Sequence, residues 1–277
     1  MKRFDHIITI ALVFFLAHGS SLAQSTSIRS GETVKGIQAE GACAIVGMSA
    51  EQSQLTALQR ARAAAIEQAA GVSVSSGTLV TNYTVTADFI KTYARGFIVH
   101  EKANWLPLGQ YQKDSSTAPI PEYRVRITAD IYIPKRAKAV GLQALLNNTV
   151  FRSGEKAKVT VRTTKGSGIA IFNIMADDRV SLVFPNRYES DNRVMPGKEF
   201  VFPAKGGKVD LEMHPLPGHA RDAEAILVIA WDKGQDFSIL EMFSSTEPMP
   251  VDAFFQRLAD IADHCEEAIL PYEVVGQ

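Results

Sequence analysis

The segment from Tyr123 to Ile133 constrains the fold of this chain more than any other. Apolar side chains stand at every second position along it, at Tyr123, Val125, Ile127, Ala129, Ile131 and Ile133, and Pro134 follows. Successive side chains of a strand point to opposite faces, so this period of two predicts one buried and one solvated face. A sheet built on such a strand needs other elements to cover its apolar face.

Two helices are predicted to provide this cover. After a strand over residues 34–47, Ser49 and Gln52 form a capping-box pattern for a helix that should end at Gly71. The predicted inward face of this helix is rich in alanine, which favours close packing onto a sheet rather than a large ligand cleft. Its residues are Leu55, Leu58, Ala61 or Arg62, Ala65 and Ala69. A second helix is predicted over residues 86–95, before a strand over residues 97–106 and a hairpin connection over residues 107–121.

From Phe151 onwards the sequence consists of short apolar runs separated by turns that contain glycine, proline and aspartate. Strands are predicted over residues 159–161, 169–175, 180–184, 200–202, 209–213 and 223–231. Such spacing is typical of a β-sandwich or a partly open barrel. One helix follows, with apolar residues at helical spacing from Val251 to Ala262, and residues 268–275 are predicted as an edge strand.

The fold class is therefore α+β. We predict a two-layer domain over residues 33–134, with an antiparallel sheet and two helices. A mainly-β sandwich with one C-terminal helix is predicted over residues 150–277, and the boundary should lie between Pro134 and Thr149.

The first residues have the parts of a cleavable secretory signal. A basic start, an apolar run over residues 7–17 and small residues up to Ala23 predict a signal peptide over residues 1–23, and a periplasmic or secreted mature chain. The run is shorter than the roughly 20 apolar residues of a membrane span, and no later stretch is long enough. A formal net charge of −1 favours neither nucleic acid nor an anionic membrane as partner.

Cys43 and Cys265 are the two cysteines of the chain. In an oxidising compartment they could form one disulfide that joins the two ends of the fold. The alternative is two buried thiols that pack as small apolar groups. The sequence leaves both possibilities open.

Three short motifs follow the alanine-rich helix: Val80-Thr81-Asn82-Tyr83, Asp88-Phe89-Ile90 and Arg95-Gly96-Phe97-Ile98. With that helix they make residues 33–134 resemble the N-terminal domain of flagellar assembly protein T and its envelope-lipoprotein relatives. The pattern contains no catalytic signature.

The second half carries Phe151-Arg152-Ser153-Gly154, then Leu182-Val183-Phe184-Pro185-Asn186, and later Pro196-Gly197 and Phe202-Pro203. These motifs make residues 150–232 resemble the bacterial family named domain of unknown function 4384. Members of that family accompany envelope modules, which implies an accessory binding role.

The sequence indicates no convergent set of catalytic, cofactor-binding or metal-binding residues. His214 and His219 flank a tight loop, but a zinc site needs further ligands, so they are interpreted as loop histidines. His264 and Cys265 are sequence neighbours that should point apart. The acidic pairs Asp177-Asp178 and Asp191-Asn192 are interpreted as turn residues, and Asp210 with Glu212 as a solvated strand face.

These observations lead to one expectation of function and two alternatives. We expect a non-enzymatic, exported cell-envelope protein that acts as a binding or scaffold module, with an envelope protein as partner and without cofactors. The first alternative is a small-ligand sensor with a pocket between the α+β layer and the sandwich. The second is a hydrolase with an unfamiliar site.

Overall fold

The computed structural model describes residues 30–71, 92–93, 95–112, 114–135, 140–243 and 247–276. The predicted signal peptide and residues 86–91 of the predicted second helix lie outside these ranges. So do residues 80–83 and 88–90, which carry two of the motifs of the first resemblance.

Among the described residues, the first sheet contains β1 (Glu32–Ala44), β2 (Phe97–Trp105), β3 (Gly109–Tyr111) and β4 (Ile120–Ile133). All of its pairings are antiparallel, and β4 lies between β1 and β2. The predicted alternation of β4 is confirmed, because Val125 and Ile127 are buried while Arg124 and Arg126 are exposed. The short strand β3 lies within residues 107–121, where the sequence predicted only a connection.

Helix α1 (Ala50–Ala69) covers this sheet and begins as predicted. The Ser49 hydroxyl accepts the Gln52 N–H at 3.2 Å, and Gln52 Oε1 accepts the Ser49 N–H at 3.0 Å. Gly71 follows the helix with a φ of 67°, a left-handed conformation that glycine adopts without strain.

The packing of α1 on β1 is as close as its alanines predicted. A Cβ atom at Gly41 would lie 2.0 Å from the carbonyl oxygen of Ala57 and 2.5 Å from the amide nitrogen of Ala61. The buried stripe differs in part from the prediction. Because the helix turns its alanines onto Gly41, Ala57 is buried while Leu55 and Leu58 stay half-buried.

The second half is rich in strands, as predicted. Its strands are β5 (Gln143–Leu146), β6 (Val150–Arg152), β7 (Glu155–Lys156), β8 (Val159–Arg162), β9 (Ser167–Ile174), β10 (Arg179–Phe184), β11 (Arg193–Val194), β12 (Phe200–Phe202), β13 (Glu212–Met213), β14 (Arg221–Asp232), β15 (Met249–Pro250) and β16 (Cys265–Val275). The large sheet has the order β15-β10-β9-β14-β16-β6, with β11 beside β9. A smaller sheet, β12-β8-β5, shares an apolar core with one face of the large sheet.

The predicted C-terminal strand is present as β16, but it is not an edge strand along its whole length. Strand β16 pairs antiparallel with β14 from Cys265 to Val275, and β6 pairs parallel with its other side. The strand is internal at Glu273–Val275, where β6 pairs with its second edge, whereas no strand of the described residues pairs with that edge from Cys265 to Tyr272.

The described residues of the second half contain two helices, of which the second packs on β2 of the first sheet. They are α2 (Ile239–Phe243) and α3 (Val251–Ala259), and a short 3-10 helix (Ala262–His264) follows. The apolar face predicted for α3 is confirmed, and Phe255 stacks on Phe97 of β2 with ring centroids 5.1 Å apart. A single apolar core therefore includes residues of the first sheet, α3 and the second face of the large sheet. None of the described helices combines the length and the apolar character needed to cross a bilayer.

Candidate functional site

A cleft of about 460 Å³ lies between the start of α1 and the loop that leads into β14. Helix α1 contributes Gln52, Leu55 and Thr56, and the loop side contributes His219 and Asp222. The lining combines apolar side chains with amide, hydroxyl, imidazole and carboxylate groups. Such a mixture is typical of small-molecule sites, where a few polar groups orient a ligand within an apolar surround.

The loop side of the cleft is organised by Asp222. Its Oδ2 accepts the backbone N–H of Leu216 at 2.6 Å, and its Oδ1 lies 2.6 Å from His219 Nδ1. The Asp222 side chain is 3% exposed, whereas that of His219 is 27% exposed. Because a carboxylate oxygen only accepts hydrogen bonds, His219 Nδ1 is the donor in this contact. The pair thus orients the imidazole beside the cleft.

A second buried carboxylate, Glu224, supports the same wall. It accepts hydrogen bonds from Tyr272 Oη at 2.5 Å, Asn173 Nδ2 at 3.1 Å and the Ala176 N–H at 3.4 Å. Ala176 lines the cleft directly. Burial raises the pKa of Glu224, and its hydrogen-bond donors oppose that rise.

A buried ion cluster joins the two halves of the chain close to this site. Arg62 of α1 binds Glu101 of β2 through two hydrogen bonds, Nε to Oε2 at 2.7 Å and Nη2 to Oε1 at 2.9 Å. Its Nη1 also donates to Asp178, in the turn between β9 and β10. The three side chains are 7%, 9% and 15% exposed in the order Arg62, Glu101, Asp178. Burial raises the pKa of Asp178, and Arg62 opposes that rise.

Only some of these residues were identified from the sequence. Asp178 was interpreted as a turn residue and does occupy a turn, with a φ of 68°, but its pairing with Arg62 was not predicted. Asp222 and Glu224 were missed. The available signal was the alternation of Asp222 and Glu224 at the start of a segment that is otherwise apolar from Ala223 to Trp231.

The two histidines of the predicted loop lie in different surroundings. His214 is exposed and contacts Ser153 Oγ at 3.0 Å, whereas His219 contacts Asp222. Within the part of the chain that the structure describes, no group of three or more His, Cys, Asp or Glu side chains is placed to hold a metal ion. Asp210 is exposed and pairs with Lys156 at 2.8 Å.

Cys43 and Cys265 are free thiols in the structure. Cys43 is buried on β1, where its Sγ lies 3.5 Å from the Ala44 carbonyl oxygen, and Cys265 begins β16 opposite Trp231. Burial raises the pKa of both thiols, that of Cys265 to about 12. The structure joins neither thiol in a disulfide.

The motif Phe184-Pro185-Asn186 forms the turn at the end of β10. Asn186 Oδ1 accepts the N–H groups of Tyr188 and Glu189, both at 2.9 Å, and Asn186 Nδ2 donates to the Val183 carbonyl at 2.9 Å. An asparagine that bonds its own backbone in this way stabilises a turn. This motif therefore has a structural explanation.

Comparison with known proteins finds a family for part of the chain. Residues 150–230 match the model of a family described as a domain of unknown function, DUF4384. The match begins at β6 and ends within β14, so it includes His219, Asp222 and Glu224. No curated protein matches the chain. The family match supports the resemblance that the motifs of the second half indicated.

Proposed function

We propose that this chain is an exported, non-enzymatic binding module of the cell envelope that holds a small ligand in the cleft between α1 and the loop before β14. The observation that carries the proposal is the His219–Asp222 pair at that cleft, with its 2.6 Å contact and its buried carboxylate. A ligand there would contact both halves of the chain at once.

The chemistry of the lining suggests the class of ligand. Gln52 offers its Nε2 donor, since its Oε1 caps α1, and the Thr56 hydroxyl, which donates to the Gln52 carbonyl, can still accept. Leu55 offers apolar surface, and His219 offers an imidazole nitrogen. We therefore expect a small polar molecule with both hydrogen-bonding and apolar parts. The cleft favours this small-ligand function over a purely structural scaffold, since a scaffold needs no cleft with a mixed polar and apolar lining.

The same histidine–carboxylate geometry also orients the general base of hydrolases. In that arrangement the histidine contacts a nucleophilic hydroxyl or thiol. Within the described residues, His219 has no hydrogen bond to such a group, and its bonded partner is Asp222. We accordingly assign the pair to ligand recognition.

The envelope location rests on the N-terminal sequence and on the two resemblances. A signal peptide over residues 1–23 would deliver the chain to the periplasm or the exterior. The resemblance of residues 33–134 to the N-terminal domain of flagellar assembly protein T supports a place among envelope proteins. An envelope protein is the partner that we expect for the ligand-bound module.

The proposal is tested by thermal unfolding of the chain from Gln24 onwards in the presence of metabolites and cell-wall fragments. A ligand that binds only the folded state adds about 2.7 kcal/mol at a concentration of 100 times its Kd, and therefore raises Tm. Leu55→Trp places a larger side chain in the cleft and should reduce the rise.

Leu145→Trp is the matched control, because Leu145 is 68% exposed and lies outside the cleft. This variant should keep the rise in Tm. An unchanged Tm with every compound, or a rise that Leu55→Trp retains, would refute a ligand site at this cleft.

A further inference from the structure

Arg221 brings a positive charge to the cleft between α1 and the loop before β14. It is the first residue of β14 and lines the cleft beside His219, and its side chain is 57% exposed. A guanidinium is not deprotonated in proteins, so this group is a permanent cation. Any ligand of the cleft therefore meets a fixed positive charge at this end.

A buried carboxylate holds the guanidinium in place from the strand next to it. Arg221 Nη1 lies 3.6 Å from Oε1 of Glu273, whose side chain is 7% exposed. Glu273 belongs to β16, where it pairs with Ala223 of β14. A separation of 3.6 Å is an ionic contact but is too long for a hydrogen bond. Glu273 thus positions the cation without using its N–H donors.

The acidic groups of this wall are turned away from the open space of the cleft. Asp222 is 3% exposed, and its two oxygens are engaged by the Leu216 N–H and by His219, both at 2.6 Å. Glu273 is nearly as deeply buried. Of these charged groups, the one that a ligand contacts directly is the Arg221 guanidinium.

A carboxylate is the group that a single exposed guanidinium binds best. Its two oxygens match two parallel N–H groups of the guanidinium, and hydrogen bonds between ions are about twice as strong as neutral ones. One guanidinium balances the single charge of a carboxylate. A dianion such as phosphate would add a second negative charge close to the buried acids Asp222 and Glu273, which disfavour it.

We propose that the ligand of the cleft is a small carboxylic acid with an apolar group, and that Arg221 binds its carboxylate. This inference rests on the proposed small-ligand function of the same cleft. Leu55 receives the apolar group, and the Thr56 hydroxyl, which donates to the Gln52 carbonyl at 2.8 Å, accepts an N–H or O–H of the ligand. N-acylated amino acids combine these three features in one molecule.

The test compares acids with neutral amides of the same shape. N-acetyl-leucine and N-acetyl-phenylalanine are titrated into the isotope-labelled protein, each beside its primary amide, and binding is followed by NMR. The acids should bind about tenfold more tightly or better, because a hydrogen bond to a charged group is stronger than one to a neutral group. Their binding should perturb the backbone amides of residues 219–223.

Arg221→Gln should lower the affinity for each acid to that for its amide, and should leave the affinity for the amide unchanged. Arg162→Gln is the matched control, since Arg162 is 58% exposed, forms an ion pair with Glu199 and lies outside the cleft. This control should bind the acids as the wild type does. An equal loss in both variants would reveal a general charge effect and overturn the proposal.

The comparison separates this inference from the proposed function. Equal affinities of acid and amide at residues 219–223 would overturn the carboxylate assignment and leave the cleft as a ligand site. Acids that perturb only other surfaces, or phenyl phosphate that binds more tightly than every acid, would also overturn the assignment. The proposed function itself fails if acidic, neutral and basic compounds alike leave Tm unchanged, and the assignment then fails with it.

Discussion

Arg62 of α1 and Asp178 of the β9–β10 turn form a buried ion pair across 116 positions of sequence. The pair connects the first sheet to the large sheet of the second half, and Glu101 completes the cluster on the side of the first sheet. Removing one partner of such a cluster leaves a buried charge without compensation. The relative placement of α1 and β14, and hence the cleft, depends on this connection.

The replacement Arg62→Ala should destabilise the protein by about 3–5 kcal/mol, because Glu101 and Asp178 would stay buried without their cation. Urea denaturation measures this change. Arg126→Ala is the control, since its ion pair with Glu40 is half-exposed, with side chains 51% and 44% exposed. Such exposed pairs contribute about 0.2–1 kcal/mol. Similar losses for both variants would contradict a buried role for Arg62.

The replacement Tyr272→Phe should cost about 1.5–3 kcal/mol, because it removes a 2.5 Å hydrogen bond to the buried Glu224 carboxylate. The comparison is Tyr188→Phe, whose side chain is 54% exposed and whose loss of a hydroxyl should change stability little. Chemical denaturation of both variants measures the change in the free energy of unfolding. A negligible effect of Tyr272→Phe would mean that Glu224 is satisfied by its other donors.

Stability should fall with rising pH through the titration of Glu224. Burial raises the pKa of Glu224 in the folded state above its unfolded value. Its contribution is therefore complete below the unfolded pKa and is lost as the pH rises through the folded pKa. Glu224→Gln does not titrate, so the free energy of unfolding should fall less steeply with pH in this variant. Identical pH profiles for wild type and variant would contradict the raised pKa.

The replacement Gly41→Ala should destabilise the protein by about 1–3 kcal/mol or more, because its Cβ would meet the backbone of α1. Thermal unfolding measures the change. The control Gly166→Ala meets only the flexible Lys233 side chain, at 3.1 Å, and should cost much less. If the two variants unfolded at the same temperature, the close contact between α1 and β1 would be wrong.

Both cysteines should be found as free thiols. Their burial raises their pKa, so alkylation by iodoacetamide should be slow in the folded protein and fast in urea. Mass spectrometry of the non-reduced, unfolded protein should show two alkyl groups. A peptide that contains Cys43 joined to Cys265 would show instead that the disulfide forms.

The parts of the fold that depend on local sequence patterns could be predicted from the sequence. The period of two in β4, the capping box of Ser49 and Gln52, and the apolar face of α3 each depend on neighbouring residues. The pairing of β16 with β14, and with β6 at Glu273–Val275, could not be predicted. Sequence patterns indicate burial but not the order of strands in a sheet.

The candidate site could not be predicted from such local patterns. Leu55 and His219 come from opposite halves of the chain, and the alanine-rich helix favoured close packing over a cleft. That prediction holds for the part of α1 over Gly41, while the start of the helix extends past the sheet contact and borders the cleft. Asp178 likewise has the features of an ordinary turn residue until the fold brings Arg62 beside it.

We expect a small ligand to occupy the cleft between α1 and the loop before β14. The most direct measurement is NMR chemical-shift mapping of the labelled protein with a compound that raises Tm. We predict perturbed backbone amides at Leu55, Thr56 and residues 219–223, with β10 unaffected. Perturbations confined to β10, or to surfaces away from His219, would contradict it.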